Sequence, residues 1–130
     1  MYAAFIDMEK AYDKVWRADL WATLRGYGVR SKLLGTIKAL YKESKACVRV
    51  EGEVTEEFMV EQGLRQGCPL SPWLFNVFLD RVVREAIVGF QGGVELDSCL
   101  IRILMFADNT VMLTQTAEDL SQNVGRSMKQ

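Results

Sequence analysis

The sequence predicts one α+β domain over residues 1–130, in the element order β-α-α-ββ-α-ββ-α. Three observations carry that prediction. Short apolar runs bounded by turn residues alternate with stretches of helical period. One helical stripe, Leu74, Phe75, Phe78, Leu79, Val82, Val83 and Ile87, continues for more than three turns. No internal repeat, low-complexity segment or linker interrupts the pattern, and 130 residues suffice for one core but not for two.

Taken in order, residues 2–7 (Tyr-Ala-Ala-Phe-Ile-Asp) read as a short buried strand ending in an acid. A helix from Arg17 to about Tyr27 carries Leu20, Leu24 and Trp21 on its apolar face and ends at Gly26 and Gly28. Ser31 is the expected N-cap of a second helix, with Leu33, Leu34, Ile37, Leu40 and Tyr41 as its core stripe. Cys47–Val50 and Glu57–Val60 flank Glu-Gly-Glu, which predicts a hairpin turning near Gly52. Two glycines and two prolines make 62–72 a constrained loop. The long stripe then forms a strongly buried helix, with Trp73, Phe75 and Phe78 as core aromatics, until Gly89, Gly92 and Gly93 break it. Leu100–Met105 and Thr110–Leu113 are strands joined by a tight hairpin, because the Asp108-Asn109 pair tolerates left-handed backbone angles. A last amphipathic helix starts near Ala117, capped by Thr116.

Composition narrows the chemistry. Apolar residues make up 49% of the chain and charged ones 25%, an ordinary globular balance with no apolar run long enough for a membrane span. No basic stretch followed by an apolar one opens the chain, so no signal peptide is expected. Cys47, Cys68 and Cys99 are widely spaced and odd in number, which fits reduced thiols in an intracellular protein. The chain has no histidine. Histidine bases, Ser-His and Cys-His pairs and histidine zinc sites are thereby excluded, leaving carboxylates with a hard metal ion as the open route. Net charge is −1, but residues 1–49 carry ten Lys/Arg against five Asp/Glu and residues 50–100 three against nine. The first third is therefore suited to facing phosphate; solvated helix faces explain the same asymmetry.

Two acids stand out. Asp7 ends one predicted strand and Asp108 interrupts another. Side by side, such strands would hold two carboxylates close enough for divalent cations, and a metal pair about 3.5–4 Å apart can activate a hydroxyl and stabilise a leaving pyrophosphate. On spacing alone the plainer reading leads, with Asp7 capping a turn and Asp108 sitting in a hairpin.

The local motifs shift that balance. Phe5-Ile6-Asp7-Met8-Glu9-Lys10-Ala11-Tyr12-Asp13 resembles the first catalytic motif of the reverse transcriptases of LINE-type (non-LTR) retrotransposons. Gln62-Gly63-Leu64-Arg65-Gln66-Gly67-Cys68-Pro69-Leu70-Ser71-Pro72-Trp73-Leu74-Phe75-Asn76 resembles their second, and Phe106-Ala107-Asp108-Asn109 their third, in family order along nearly the whole chain. The second motif is long and highly specific. The resemblance implies a polymerase palm, an RRM-like antiparallel sheet packed on helices, with fingers and thumb missing from these residues. It implies Mg²⁺ as cofactor (Mn²⁺ as the substitute) and RNA template, DNA primer and deoxynucleoside triphosphates as partners, with no membrane. Asp7 and Asp108 would be metal ligands, joined by the Met8 carbonyl, and position 109 completes the catalytic set. Tyr12 matches the steric gate that excludes a 2′-hydroxyl; an aromatic core residue at a helix start is the alternative. Gln66 and Gly67 would lie against nucleotide and template, since glycine allows close backbone approach and glutamine both donates and accepts. Arg65 is a candidate phosphate contact. Lys10 and Asp13 match as supporting residues, and Cys68 reads as a packing residue.

Position 109 departs from the pattern, which has a second aspartate there. An amide offers an oxygen but no charge, so the fold should persist while catalysis is lowered by at least ~100-fold, about 2.7 kcal/mol in the barrier. Together with the expected absence of fingers and thumb, this predicts a palm by descent that is inactive alone. A non-catalytic module reusing the palm to bind nucleic acid or protein is the alternative. A nucleotide cyclase on a similar sheet is disfavoured by the Arg65–Pro72 stretch.

Overall fold

The structure, a computed structural model, describes residues 1–127 and groups them in two compact units, Tyr12–Phe78 and Met1–Ala11 with the described residues from Leu79 onward. The mixture of helices and small antiparallel sheets agrees with the expected α+β class.

In the unit Tyr12–Phe78, helix α1 (Arg17–Gly26) buries Leu20, Thr23 and Leu24. It stops where expected, with Gly28 at φ +85° just beyond. Helix α2 (Ser31–Tyr41) packs on α1 and buries Leu34, Ile37 and Tyr41. Two expectations for α2 are corrected. Leu33 and Leu40 are 59% and 47% exposed, because only the i, i+3, i+7 row of this helix is buried. Ser31 is not the N-cap; it begins the helix with φ +49°, and no side chain caps this end.

The predicted hairpin forms four two-residue strands, β2 (Lys45–Ala46), β3 (Arg49–Val50), β4 (Glu53–Val54) and β5 (Phe58–Met59). Its turn is at Glu51-Gly52, both with positive φ, as a primed two-residue turn requires. The register shifts along the hairpin. Arg49 pairs with Val54 but Lys45 with Met59, so the return strand carries one extra residue opposite Cys47, a bulge that separates the strands into two short ladders. The loop that follows is tied to the segment after Tyr12: Gly63 N–H donates to the Val15 carbonyl and Leu64 N–H to that of Tyr12, both at 2.9 Å.

Helix α3 (Ser71–Ala86) is less buried than its stripe suggests. Leu74, Phe75 and Leu79 are core, Phe78, Val83 and Ile87 are half-buried, and Val82 is exposed. Trp73 is 71% exposed, so it is not the core aromatic expected; it occupies the polar side of the helix next to Pro72.

In the other unit, β1 (Tyr2–Ile6), β9 (Asn109–Thr114) and β8 (Ile103–Phe106) form an antiparallel sheet in the order β1-β9-β8. Helix α4 (Ala117–Ser127) packs on β1 and β9, and the sheet buries Thr110, Met112 and Thr114 there. The strand alternation is visible on the opposite face, where Phe5 and Leu104 stay exposed on either side of the half-buried Val111. The expected cap is present: Thr116 Oγ1 accepts the Asp119 N–H at 3.1 Å and donates to its carboxylate at 2.7 Å.

One hairpin is new. The apolar run expected as a single strand from Leu100 breaks at Arg102, giving β7 (Cys99–Ile101) before β8, and β7 pairs with β6 (Val94–Leu96). Asp97 and Ser98 turn this hairpin with positive φ. Gly93 before it has φ +134°, and a Cβ there would meet Leu100 Cδ1 at 2.8 Å. Among the described residues no helix is long and apolar enough to cross a membrane.

Candidate active site

The acids belong to the β1-β9-β8 sheet. The last β1–β9 pair is Ile6 with Thr110, so the next residues outward are Asp7 on one strand and Asn109 on the other. Phe106 pairs with Asn109 across a two-residue turn of Ala107 and Asp108. The register therefore delivers Asp7, Asp108 and Asn109 to the same end of one small sheet. Asp108 is half-buried, Asp7 and Asn109 are exposed, and Met8 follows Asp7 half-buried. The tight hairpin expected here is present, but its strained residue is not the Asp-Asn pair: Ala107 takes φ +54°.

These donors suit a hard cation in kind. Carboxylate, amide and backbone carbonyl oxygens are what Mg²⁺ takes, and Mg²⁺ commonly uses one or two protein carboxylates and leaves the remaining positions to water and phosphate. They are sparse in number. Among the described residues no group of three or more His, Cys, Asp and Glu side chains gathers as a metal site, and residue 109 is an asparagine.

The remaining candidates lie in the unit Tyr12–Phe78. The Tyr12 ring stacks on Phe75, centroids 4.7 Å apart and planes inclined by 19°. Phe75 is buried, so it gives the half-buried tyrosine a fixed floor. Gln66 Nε2 donates to Asp13 Oδ1 at 3.1 Å, joining the second motif to the first. Gly67 has φ +78°, and nothing stands within 4 Å of where its Cβ would be, which leaves its backbone open to approach. Arg65 is exposed; its Nη2 donates to Ser44 Oγ at 3.3 Å and its guanidinium lies 5.8 Å from the Tyr41 ring centre. Ser71 buries its hydroxyl between the Arg65 carbonyl at 2.6 Å and Tyr41 Oη at 3.0 Å. The Cys68 thiol has a lowered pKa, chiefly through a hydrogen bond from the Leu70 backbone and then one from Ser71, with Arg65 adding a favourable charge.

Two features were missed in the sequence. A groove of about 900 Å³ runs beside Arg65 and Gln66, walled by Ser44–Ala46 and Phe58–Leu64. Its lining comes from segments far apart in the chain, so no local pattern announces it. Arg17, read only as a helix start, donates to the carbonyls of Val60 (2.7 Å), Gly63 (3.0 Å), Tyr41 (3.3 Å) and Gln62 (3.4 Å). Burial lowers its pKa, and the nearby Arg65 charge adds to that.

Comparison with known proteins adds an independent observation. The family model described as reverse transcriptase (RNA-dependent DNA polymerase) matches residues 1–130. The chain is similar to the retrovirus-related Pol polyprotein from type-2 retrotransposable element R2DM of Drosophila melanogaster, 31% identical over 88% of this chain and 11% of that protein. It is 34% identical to the Pol polyprotein from the type-1 element R2 of Nasonia vitripennis, over 97% of this chain and 12% of the relative. To the RNA-directed DNA polymerase from mobile element jockey of Drosophila melanogaster it is 27% identical, over 94% and 13%. The chain thus spans about a tenth of the length of these curated relatives.

Proposed function

This chain belongs to the reverse transcriptase (RNA-dependent DNA polymerase) family, and on that premise we propose that it is the palm of a retrotransposon polymerase, built for two-metal nucleotidyl transfer and weakened by Asn109. The observation that carries the reading is the sheet register, which ends β1 at Ile6 and so brings Asp7, the next residue, to the sheet end that carries the turn holding Asp108. The palm assignment covers residues 1–130, the span of the family match.

In this reading Asp7 and Asp108 hold Mg²⁺ (Mn²⁺ serving in its place) through carboxylate oxygens, with the Met8 carbonyl and the Asn109 amide as weaker donors. The bound metal supplies a polarised primer hydroxyl and charge neutralisation at the leaving pyrophosphate. This chain's own residues do the rest. Tyr12, held flat on Phe75, packs under the sugar and leaves no room for a 2′-hydroxyl. Gln66, held by Asp13, offers its amide oxygen to nucleotide or template, and the open Gly67 backbone lets the base pair come close. Arg65 meets phosphate. RNA template, DNA primer and deoxynucleoside triphosphates are the corresponding partners.

The test replaces the matching residues of an R2-type polyprotein with this chain and measures primer extension with Asn109 and with Asn109→Asp. The Asn109 form is expected to extend at least ~100-fold more slowly, the loss of about 2.7 kcal/mol in the barrier. Equal rates would overturn the claim of a weakened site.

The second reading, a non-catalytic module that binds nucleic acid or protein through the same sheet, is favoured by Asn109 itself. It requires RNA binding that neither Mg²⁺ nor Asp7→Ala alters. Mg²⁺ binding lost on Asp7→Ala supports the polymerase reading.

A further inference from the structure

Arg17 is the first residue of α1, four residues after Asp13. A cation is disfavoured there, because the first turn of a helix carries partial positive charge. The guanidinium is also half-buried. What offsets both costs is the set of four carbonyls it binds, three of them in the short stretch Val60–Gly63 and the fourth at the end of α2. Carbonyl oxygens turned toward one point repel each other, and a planar group with five donors is the side chain able to hold several at once.

The same stretch is gripped from its other side. Gly63 and Leu64 N–H bind the carbonyls of Val15 and Tyr12, and Gln62 Nε2 donates to the Lys14 carbonyl at 3.0 Å. At φ +83°, Gly63 approaches Asp13 so closely that a Cβ would lie 2.8 Å from its carbonyl oxygen. The chain then reaches Arg65 and Gln66 within three residues. Gln66 returns to Asp13, while Arg65 shares the Tyr41 ring with Arg17, at 5.8 and 5.1 Å. Arg17 takes the carbonyls, while Arg65 donates to Ser44 Oγ at 3.3 Å, and both line the groove. Among the described residues no carboxylate pairs with either arginine.

We propose that Arg17 is a positioning residue: by gathering the Val60–Gly63 carbonyls it couples the turn bearing Tyr12 and Asp13 to the loop bearing Arg65, Gln66 and Gly67, and sets that loop for nucleic acid. This rests on the reading of Arg65–Gly67 as substrate-facing. Arg17 touches no substrate in it and acts through its neighbours.

The experiment uses the full chain with Arg17→Lys, which keeps the charge and loses the fork, and with Arg65→Ala. Amide hydrogen exchange is followed at Gly63 and Leu64, with Val111–Leu113 of β9 as internal reference, and an RNA–DNA template-primer is titrated by fluorescence anisotropy in Mg²⁺. Arg17→Lys is expected to speed exchange at Gly63 and Leu64 by about tenfold or more while β9 is unchanged, as local opening requires. Template-primer binding should weaken by about fivefold or more, and adding Arg65→Ala to Arg17→Lys should cost less than the two separate losses together. Unchanged exchange at Gly63, or an equal rise in β9, overturns the proposal. Faster local exchange with normal binding, while Arg65→Ala still loses binding, also overturns it and leaves the substrate-facing reading standing. If Arg65→Ala binds normally too, that reading fails and the proposal with it. A second variant reaches the loop from its other face: Gly63→Ala is expected to reproduce the binding loss, and normal binding by a folded Gly63→Ala chain overturns the coupling.

Discussion

Ala107 is the residue at which the candidate catalytic turn is strained. A two-residue hairpin turn needs positive φ at its first central position, where glycine is at ease and alanine is not. Ala107→Gly should therefore leave stability unchanged or raise it by up to about 1 kcal/mol, since relief of strain competes with the greater freedom of glycine when unfolded; urea denaturation measures it, and a loss above that size would contradict the strain. The Cys68 thiol pKa lies below the ordinary thiol value, so alkylation of Cys68 by iodoacetamide should show a lower pH midpoint in the folded chain than in an unstructured peptide carrying the same residues, read by peptide mass spectrometry. The sign follows: the folded state favours the thiolate, and the stability this adds is complete above the unfolded pKa and lost as pH falls through the folded one.

At the scale of elements, the caps and turns were local enough to read. Thr116 and Asp119 form the predicted start of α4, and Thr116→Ala should cost about 1 kcal/mol in urea denaturation. The β6–β7 hairpin escaped because Asp97-Ser98 lacks the glycine of the favoured turn pair and because three glycines before it suggested only a break. Gly93 lets the chain approach β7 closely at the start of that element. Gly93→Ala forces a methyl against Leu100 at a backbone angle that alanine avoids, and should lower stability by at least about 2 kcal/mol. Asn123 was equally hidden: its buried amide accepts from the Gln91 N–H and donates to the Gln91 carbonyl, standing in for a strand partner. A buried asparagine on a helix looks like any polar surface residue until its partner segment is placed.

For the whole molecule, charge is the property that sequence alone reports. On the proposed reading, a net charge of −1 with an excess of cations in residues 1–49 predicts weak binding to nucleic acid, concentrated on few phosphates. Template-primer affinity of the chain should fall about tenfold between 50 and 200 mM salt if roughly two phosphates are contacted; an affinity indifferent to salt would remove phosphate from the account. The apolar sheet face carrying Phe5 and Leu104 is the corresponding liability, since exposed apolar surface favours association.

The sequence by itself determined the family and the order of the main elements, because motifs, hydrophobic period and turn chemistry are local properties of the chain. Asp7, Asp108 and Asn109 were legible as strand-end residues, and Tyr12, Gln66 and Gly67 through the motifs that contain them. Tertiary structure alone decided which flank of α2 is wet, where the hairpin bulges, that Trp73 faces outward and Phe75 supports Tyr12, and that Arg17 gathers four carbonyls. Each of these depends on which distant segment arrives alongside. Burial, stacking and a guanidinium's choice of acceptors follow from that arrival and leave no period or motif in the chain.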